Sequence, residues 1–296
     1  MDKPAQKIKY GFERRNPDHR GANNAGHNAM RKQMQFKHVT LEFDGPVAIL
    51  KLDHQEVMNA VSIDMLGGLG EALDAIDENK TEVRCLVITG AGRAFCTGAN
   101  LQGRNNQKPG KSNAGAALET AFHPFLRRLR NLHCPIVTSV NGPAAGAGMS
   151  FALMGDMILC ARSSYFLQAF RRIGLVPDCG STWLMPRLIG KARSVELSLL
   201  GEKLPAEKAL EWGLVNRVHD DAALMDEAMK LAHDLANGPT VSLSLIRKMY
   251  WESSENSFEE QINLEFESQR VAGGTEDFKE GVAAFLEKRP AKFRGK

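Results

Sequence analysis

The segment VRCLVITG, residues 83–90, is short, apolar and rich in β-branched side chains. A strand with one wet face alternates polar and apolar residues, whereas an almost continuous apolar run belongs in a sheet covered on both sides, the habit of parallel sheets. PIVTSVNG (135–142) and MILCA (157–161) read as strands in the same way. Between them lie segments of helical spacing: SIDMLGGLGEALDAIDEN (62–79), with Ser62 placed as its cap, and ALETAFHPFLRRLRNLHC (117–134). Ahead of these, HVTLEFDGPVAILKLD (38–53) gives two alternating strands around Asp44 and Gly45, a hairpin signal. STWLMPRLIGKARSVELSLLG (181–201) is helical, and after Leu204 the pattern stays helical except for GLVNRV (213–218). Strands alternating with helices and closing on helices predict an α/β fold with a C-terminal helical region.

The chain has 296 residues, 43% hydrophobic and 25% charged, an ordinary globular balance. Residues 1–36 are polar, without an apolar period, and are expected to be a flexible basic extension. Residues 37–235 are expected to form the core, and 236–296 a helical region whose apolar stripes suit a subunit interface. Lysines and arginines crowd the first 32 residues, yet the net charge is only +3, so a solvated tail is expected rather than a nucleic-acid surface. No apolar run approaches the ~20 residues of a membrane span, and no signal peptide is legible. Five cysteines (Cys85, Cys96, Cys134, Cys160 and Cys179) lack CxxC spacing. That suits buried, reduced thiols in a cytoplasmic protein and argues against a metal site.

The stretch VNGPAAGAGMSFALMGD, residues 140–156, brings Gly146, Ala147 and Gly148 to the start of an apolar helical run. Glycine removes the side chain where something must approach the backbone. Phe151 stands where a dinucleotide fingerprint needs its third glycine, and no lysine follows, so neither that fingerprint nor a P-loop is present. GRAFCTGANL (92–101) also follows a buried strand and also offers small residues at a turn. Two strand ends that each expose a backbone N–H can aim both at one oxygen. Such an oxyanion hole is worth about 3 kcal/mol of transition-state stabilisation for each donor. The donor of the glycine stretch also lies at a helix N-terminus, where the dipole favours negative charge.

NAVS (59–62), AFCTGANL (94–101) and VNGPAAGAG (140–148), in that order, resemble segments of the crotonase, or enoyl-CoA hydratase/isomerase, superfamily. The likeness runs from about His38 to the C-terminus. It implies a ββα superhelical core of crotonase type, a homotrimer or a hexamer built as a dimer of trimers, and acyl-CoA thioester substrates. Coenzyme A is then part of the substrate, and no separate cofactor is expected. The family's two oxyanion donors fall on the N–H groups of Ala99 and Ala147, an alanine replacing the usual glycine at the second. Ala60 and Leu101 match positions along the path of the CoA adenine and pantetheine. Gly148, Ser150 and Phe170 are assigned with them to substrate binding.

Hydratases of the family use two glutamates, one just after the central glycines and one after the next strand. Those positions here are Ser150 and Phe170. Adding water needs one group to activate it and another to manage the proton at the neighbouring carbon, so the paired-carboxylate route is not expected. One carboxylate remains close by in sequence, Asp178 in IGLVPDCGSTWLMPRLIG (173–190). As a structural residue it would form a turn or cap a helix. In an apolar pocket its pKa would rise and it would serve as a single acid/base. GLVPDCGSTWLMPRLIG, LEWGLVNRV (210–218) and EGVAAFLEKRPAKF (280–293) resemble the phenylacetate-pathway branch, with its ring-epoxide and Δ3,Δ2-enoyl-CoA isomerases. There the matching aspartate is the catalytic acid/base.

His123 and His133 flank PFLRRLRNL and are expected to be structural or exposed, and Arg127, Arg128 and Arg130 to form a solvated helix face. Arg171 and Arg172 border the expected pocket and could meet a CoA phosphate or a neighbouring subunit. Lys288 and Lys292 are assigned by the resemblance to CoA phosphates of an adjacent subunit. Three readings stand at this point: an enoyl-CoA isomerase working through Asp178, a hydratase or other lyase using different groups, and a non-catalytic protein that binds a partner or RNA.

Overall fold

Met34 and Phe36 alternate with Gln33 and Gln35, and this two-residue period makes the first strand, β1 (Gln33–Phe36), which turns both apolar side chains onto the core. The computed structural model describes residues 33–102 and 115–296. The strand β1 corrects the expectation of a flexible extension through residue 36; the rest of that extension, residues 1–32, lies outside the described residues. β1 pairs antiparallel with β2 (Val39–Asp44), which pairs antiparallel with β3 (Val47–Leu52) across the expected turn. From β3 onward the sheet is parallel and runs through β4 (Cys85–Gly90), β5 (Ile136–Val140), β7 (Met157–Ala161) and β10 (Arg217–His219), seven strands in all.

Both faces of the sheet are dry, which is why its strands read as unbroken apolar runs. Leu50, Leu86 and Ile88 face α1 (Ile63–Glu78) and α2 (His123–Arg130), packing with Leu69, Leu73 and Leu129. Val47, Ile49, Val87, Val137 and Leu159 point the other way, onto α7 (Leu224–Ala236). That helix meets them with Ala228, Ala232 and Ala236, four residues apart on one face. Ser62 caps α1 as expected, its hydroxyl accepting the Met65 N–H at 3.1 Å. The helix expected over 117–134 is not uniform: a π-helical turn, Leu118–Phe122, precedes α2.

A second, three-stranded sheet joins β6 (Ala144–Ala145), β8 (Tyr165–Leu167) and β9 (Lys203–Pro205). Its strands are too short to show a period in sequence. α3 (Ala147–Ala152) follows β6 directly, and a 3₁₀ turn, Phe170–Ile173, leads toward α4 (Ser181–Ile189) and α5 (Lys191–Leu200). After α6 (Ala206–Trp212) and α7 the chain closes on α8 (Thr240–Glu252), α9 (Phe258–Gly273) and α10 (Glu276–Glu287). All five cysteines are buried and none is in a disulfide. Among the described residues no helix is long and apolar enough to cross a membrane.

Candidate active site

Open parallel sheets place ligands beyond the carboxyl ends of their strands. Here the loops leaving β3, β4 and β5 are fastened to one another at that end. Asn59 is buried, and its amide donates to the carbonyls of Ala91 at 2.9 Å and Ala94 at 2.8 Å while its Oδ1 accepts the His54 N–H at 2.9 Å. Val61 donates to the Gly98 carbonyl at 2.7 Å, and Asn100 donates to the Val61 carbonyl at 2.8 Å. This bridge uses the groups on either side of Ala99, so the Ala99 N–H points away from Val61. The third loop joins through Cys96, which donates to Pro143 at 3.1 Å and accepts from Ala145 at 2.9 Å.

Gly98 has a φ of 99°, a conformation that L side chains rarely adopt. A Cβ there would lie 2.9 Å from the Ala145 carbonyl oxygen and 3.7 Å from the Ala147 nitrogen. Glycine therefore lets the second and third loops touch where they carry Ala99 and Ala147. Ala147 opens α3, so its N–H has no partner within the helix. Among the described residues nothing accepts the N–H of Ala99 or of Ala147. Two free donors sit on adjacent strand ends.

Asp178 lies in the turn before α4. The N-cap of that helix is Gly180, with a φ of 81°, and no side chain caps it, so the Asp178 carboxyl does no capping. Its backbone carbonyl, by contrast, is held three times: by the Ser181 N–H at 3.1 Å, the Ser181 hydroxyl at 3.0 Å and the Ser150 hydroxyl at 3.1 Å. Both serines are fully buried. Oδ1 of the carboxyl is buried without a hydrogen-bond partner. Burial pushes this carboxyl above the ordinary carboxylate range, against smaller opposing pulls from the Cys179 thiol and the His123 imidazole. The same burial, with the neighbouring carboxyl adding to it, pushes the Cys179 thiol far up and leaves it unreactive.

Ala99, Ala147 and Asp178 line one cavity of about 590 Å³, together with Leu101, Phe170 and His123. Three expected substrate-binding residues are not in its wall. Gly148 is pressed onto Cys96, where an added Cβ would stand 2.8 Å from the Cys96 Cβ, so its smallness serves packing. Ser150 sits beneath the wall and grips the Asp178 backbone. Ala60 is buried beside the Val61–Ala99 bridge.

The family model for enoyl-CoA hydratase/isomerase matches residues 42–296. The chain belongs to the enoyl-CoA hydratase/isomerase family. It is 44% identical over 251 residues to the 1,2-epoxyphenylacetyl-CoA isomerase of Escherichia coli, covering 84% of this chain and 95% of that protein. It is 37% identical over 263 residues to a probable enoyl-CoA hydratase of Rhodobacter capsulatus, covering 89% of this chain and all (100%) of the relative. A crystal structure of an enoyl-CoA hydratase subunit I from Geobacillus kaustophilus superposes with a TM-score of 0.81 at 34% identity, covering 89% of this chain and 100% of that one. The expected fold and family hold.

In this family member, the arginines near the pocket have local partners. Arg172 donates to the Gly201 carbonyl at 2.6 and 3.1 Å, and Arg171 to the carbonyls of Leu199 and Leu200. They cap the C-terminal end of α5 and pin the 3₁₀ turn that carries Phe170. Two residues stand out only once the fold is known. Asn59 was legible as part of NAVS, but its role as a staple between loops needs the partners 32 to 36 positions away. His123 sits in a segment whose helical pattern gave no hint that it faces a cavity; only the π turn before it, a feature frequent at functional sites, marks the place.

Proposed function

We propose that this chain binds acyl-CoA thioesters and shifts a carbon–carbon double bond through a thioester enolate, with Asp178 as the single acid/base. The observation that carries the reading is the Asp178 carboxyl: it caps no helix, its Oδ1 is buried and unpartnered, and it shares a cavity with two free backbone donors. Proton loss next to a thioester builds negative charge on the carbonyl oxygen. The N–H groups of Ala99 and Ala147 hydrogen-bond that oxygen as the charge develops, and they need no reorganisation because the sheet already holds them. With a 3-enoyl thioester, Asp178 takes the proton from C2 as the carbonyl oxygen accepts the electrons, then returns it to C4 as they flow back. The product is the conjugated 2-enoyl thioester, and no atom is gained or lost. The raised carboxyl suits both halves, being basic enough to accept the proton and acidic enough to return it.

Leu101 lines the mouth on the CoA side, and Phe170 shapes the acyl side; Ala60 supports the wall from behind. The isomerase named among the relatives agrees with a double-bond or ring rearrangement, and its name supports the phenylacetate branch. Hydration by paired glutamates is disfavoured, because buried Ser150 and the ring of Phe170 occupy those positions. Apolar side chains left exposed on α9 and α10, among them Phe258, Phe266, Phe285 and Leu286, support the trimer or hexamer expected of the C-terminal region.

The test is to incubate the protein separately with 3-hexenoyl-CoA and crotonyl-CoA and identify the products. Conversion of the first to 2-hexenoyl-CoA, with crotonyl-CoA unchanged, is the expected outcome. Hydration of crotonyl-CoA without any double-bond shift would overturn the proposal in favour of a hydratase. Turnover of neither would favour a non-catalytic role.

A further inference from the structure

The cavity wall is apolar apart from a few side chains, and most of these are already engaged. The Thr97 hydroxyl donates to the Met58 carbonyl at 3.2 Å, the Arg172 guanidinium is spent on Gly201, and the Cys179 thiol lies against Asp178. Two polar side chains are left over. One is Asp178, which the isomerisation uses. The other is His123, half-buried in the same wall, whose imidazole makes no hydrogen bond with any described residue. His123 acts electrostatically on the Asp178 carboxyl, but no ion pair joins the two side chains. Both side chains border the same cavity without engaging each other.

A proton shuttle between two carbons needs one base, so His123 is superfluous to the double-bond shift itself. A purely hydrocarbon acyl chain would strip water from the imidazole on entering and offer it nothing in return. Leaving a buried donor or acceptor unpaired is costly, whereas pairing it recovers the loss. A neutral imidazole carries one donor and one acceptor, so a hydroxyl, carbonyl, ether or epoxide oxygen could pair with it. Ligand sites of this kind use a small number of placed polar groups in an apolar wall to fix orientation and specificity.

Building on the thioester reading above, we infer that His123 is a specificity-determining residue that hydrogen-bonds an oxygen atom carried by the acyl group, so that the preferred substrates are oxygenated acyl-CoAs. The π turn, Leu118–Phe122, sets the start of α2 and so directs His123 toward the cavity.

The experiment compares hexanoyl-CoA with its 3-, 4- and 5-hydroxy derivatives by isothermal titration against the wild type, His123→Phe and His123→Gln. At least one hydroxyacyl-CoA is expected to bind the wild type about tenfold more tightly than hexanoyl-CoA, the usual worth of one well-placed hydrogen bond. In His123→Phe that preference should vanish while hexanoyl-CoA affinity stays within about threefold, and in His123→Gln, whose amide can still pair, part of it should survive. The absence of any preference in the wild type would overturn the inference, and so would a preference undiminished in His123→Phe. Should the phenylalanine variant not fold, the wild-type panel and the glutamine variant still decide. Failure of all four thioesters to bind would bring down the acyl-CoA reading as well, an outcome distinct from binding without preference.

Discussion

Among the described residues, two apolar cavities are of nearly equal size. One, of about 590 Å³, holds Asp178; the other, of about 630 Å³, opens between α4 and α8 and holds Asp156. Burial raises both carboxyls above their ordinary range. The likeness ends there. Asp156 accepts the Ile136 N–H at 2.7 Å and a short hydrogen bond from the buried Arg247, whose guanidinium also donates to the carbonyls of Leu132 at 2.7 Å and Leu129 at 3.1 Å. Trp183 and Trp251 stack beside it with centroids 5.2 Å apart. The charged groups there, Asp156, Arg187 and Arg247, all have partners, so that cavity reads as a joint between the C-terminal helices and the sheet. In the first cavity a carboxyl oxygen, two backbone N–H groups and an imidazole stay unmatched. Volume and a raised carboxyl are common to both; unspent hydrogen-bonding capacity is what sets the candidate site apart from the joint.

The contrast breaks most sharply at Asp178. Asp178→Asn should lower turnover of a 3-enoyl-CoA by roughly 10² to 10⁴, the usual worth of general acid–base catalysis, while thioester binding persists on the main-chain donors. Its stability should move the opposite way. Because the folded-state pKa is raised, the folded chain holds this proton more tightly than the unfolded one, and stability falls as pH rises through the window between the ordinary and the raised value. Above that window the buried carboxyl is thus a cost, and the asparagine variant should melt no lower than the wild type. Near-normal turnover, or a clear drop in melting temperature, would make Asp178 a structural residue like Asp156.

Arg247→Met is the reverse case. It strips the buried guanidinium from the half-buried Asp156 carboxyl and from two carbonyls, and should cost about 3 kcal/mol of stability, read by denaturant unfolding, with kcat of the folded protein unchanged. A loss of kcat without a loss of stability would place that second cavity in the chemistry.

The smallest effect sharpens the comparison within the Asp178 cavity. Ser150→Ala removes one of three hydrogen bonds on the Asp178 carbonyl and leaves both from Ser181. Stability should fall by about 1 kcal/mol. If Ser150 acts by positioning, kcat should drop up to about tenfold with KM unchanged, since a small displacement of a catalytic group is felt in the rate. An unaltered kcat in steady-state kinetics would leave Ser150 as packing alone.

Local order in the sequence was enough for most of the frame. The β2–β3 hairpin, the cap at Ser62, the buried runs of β4, β5 and β7, and the small-residue segments holding Ala99 and Ala147 depend on neighbours a few positions apart, so their pattern survives in one dimension. Asp178 could be selected as the carboxylate of interest for the same reason, though not cleared of a capping role. Other features depended on contacts between distant segments. β1 gained its place from two side chains landing on the core, and the long 181–201 helix broke at Gly190, where φ is 79°. Ser150, two residues after Gly148, turned away from the cavity to grip a backbone 28 positions later, and His123 turned into it. A residue's type states which hydrogen bonds it can make, but direction comes from the packing of elements far apart in the chain. The sequence alone therefore determined the α/β frame, the family and the residue types available for the chemistry; the tertiary structure decided which of those groups remained unpaired at one cavity, because pairing is a property of three-dimensional neighbours.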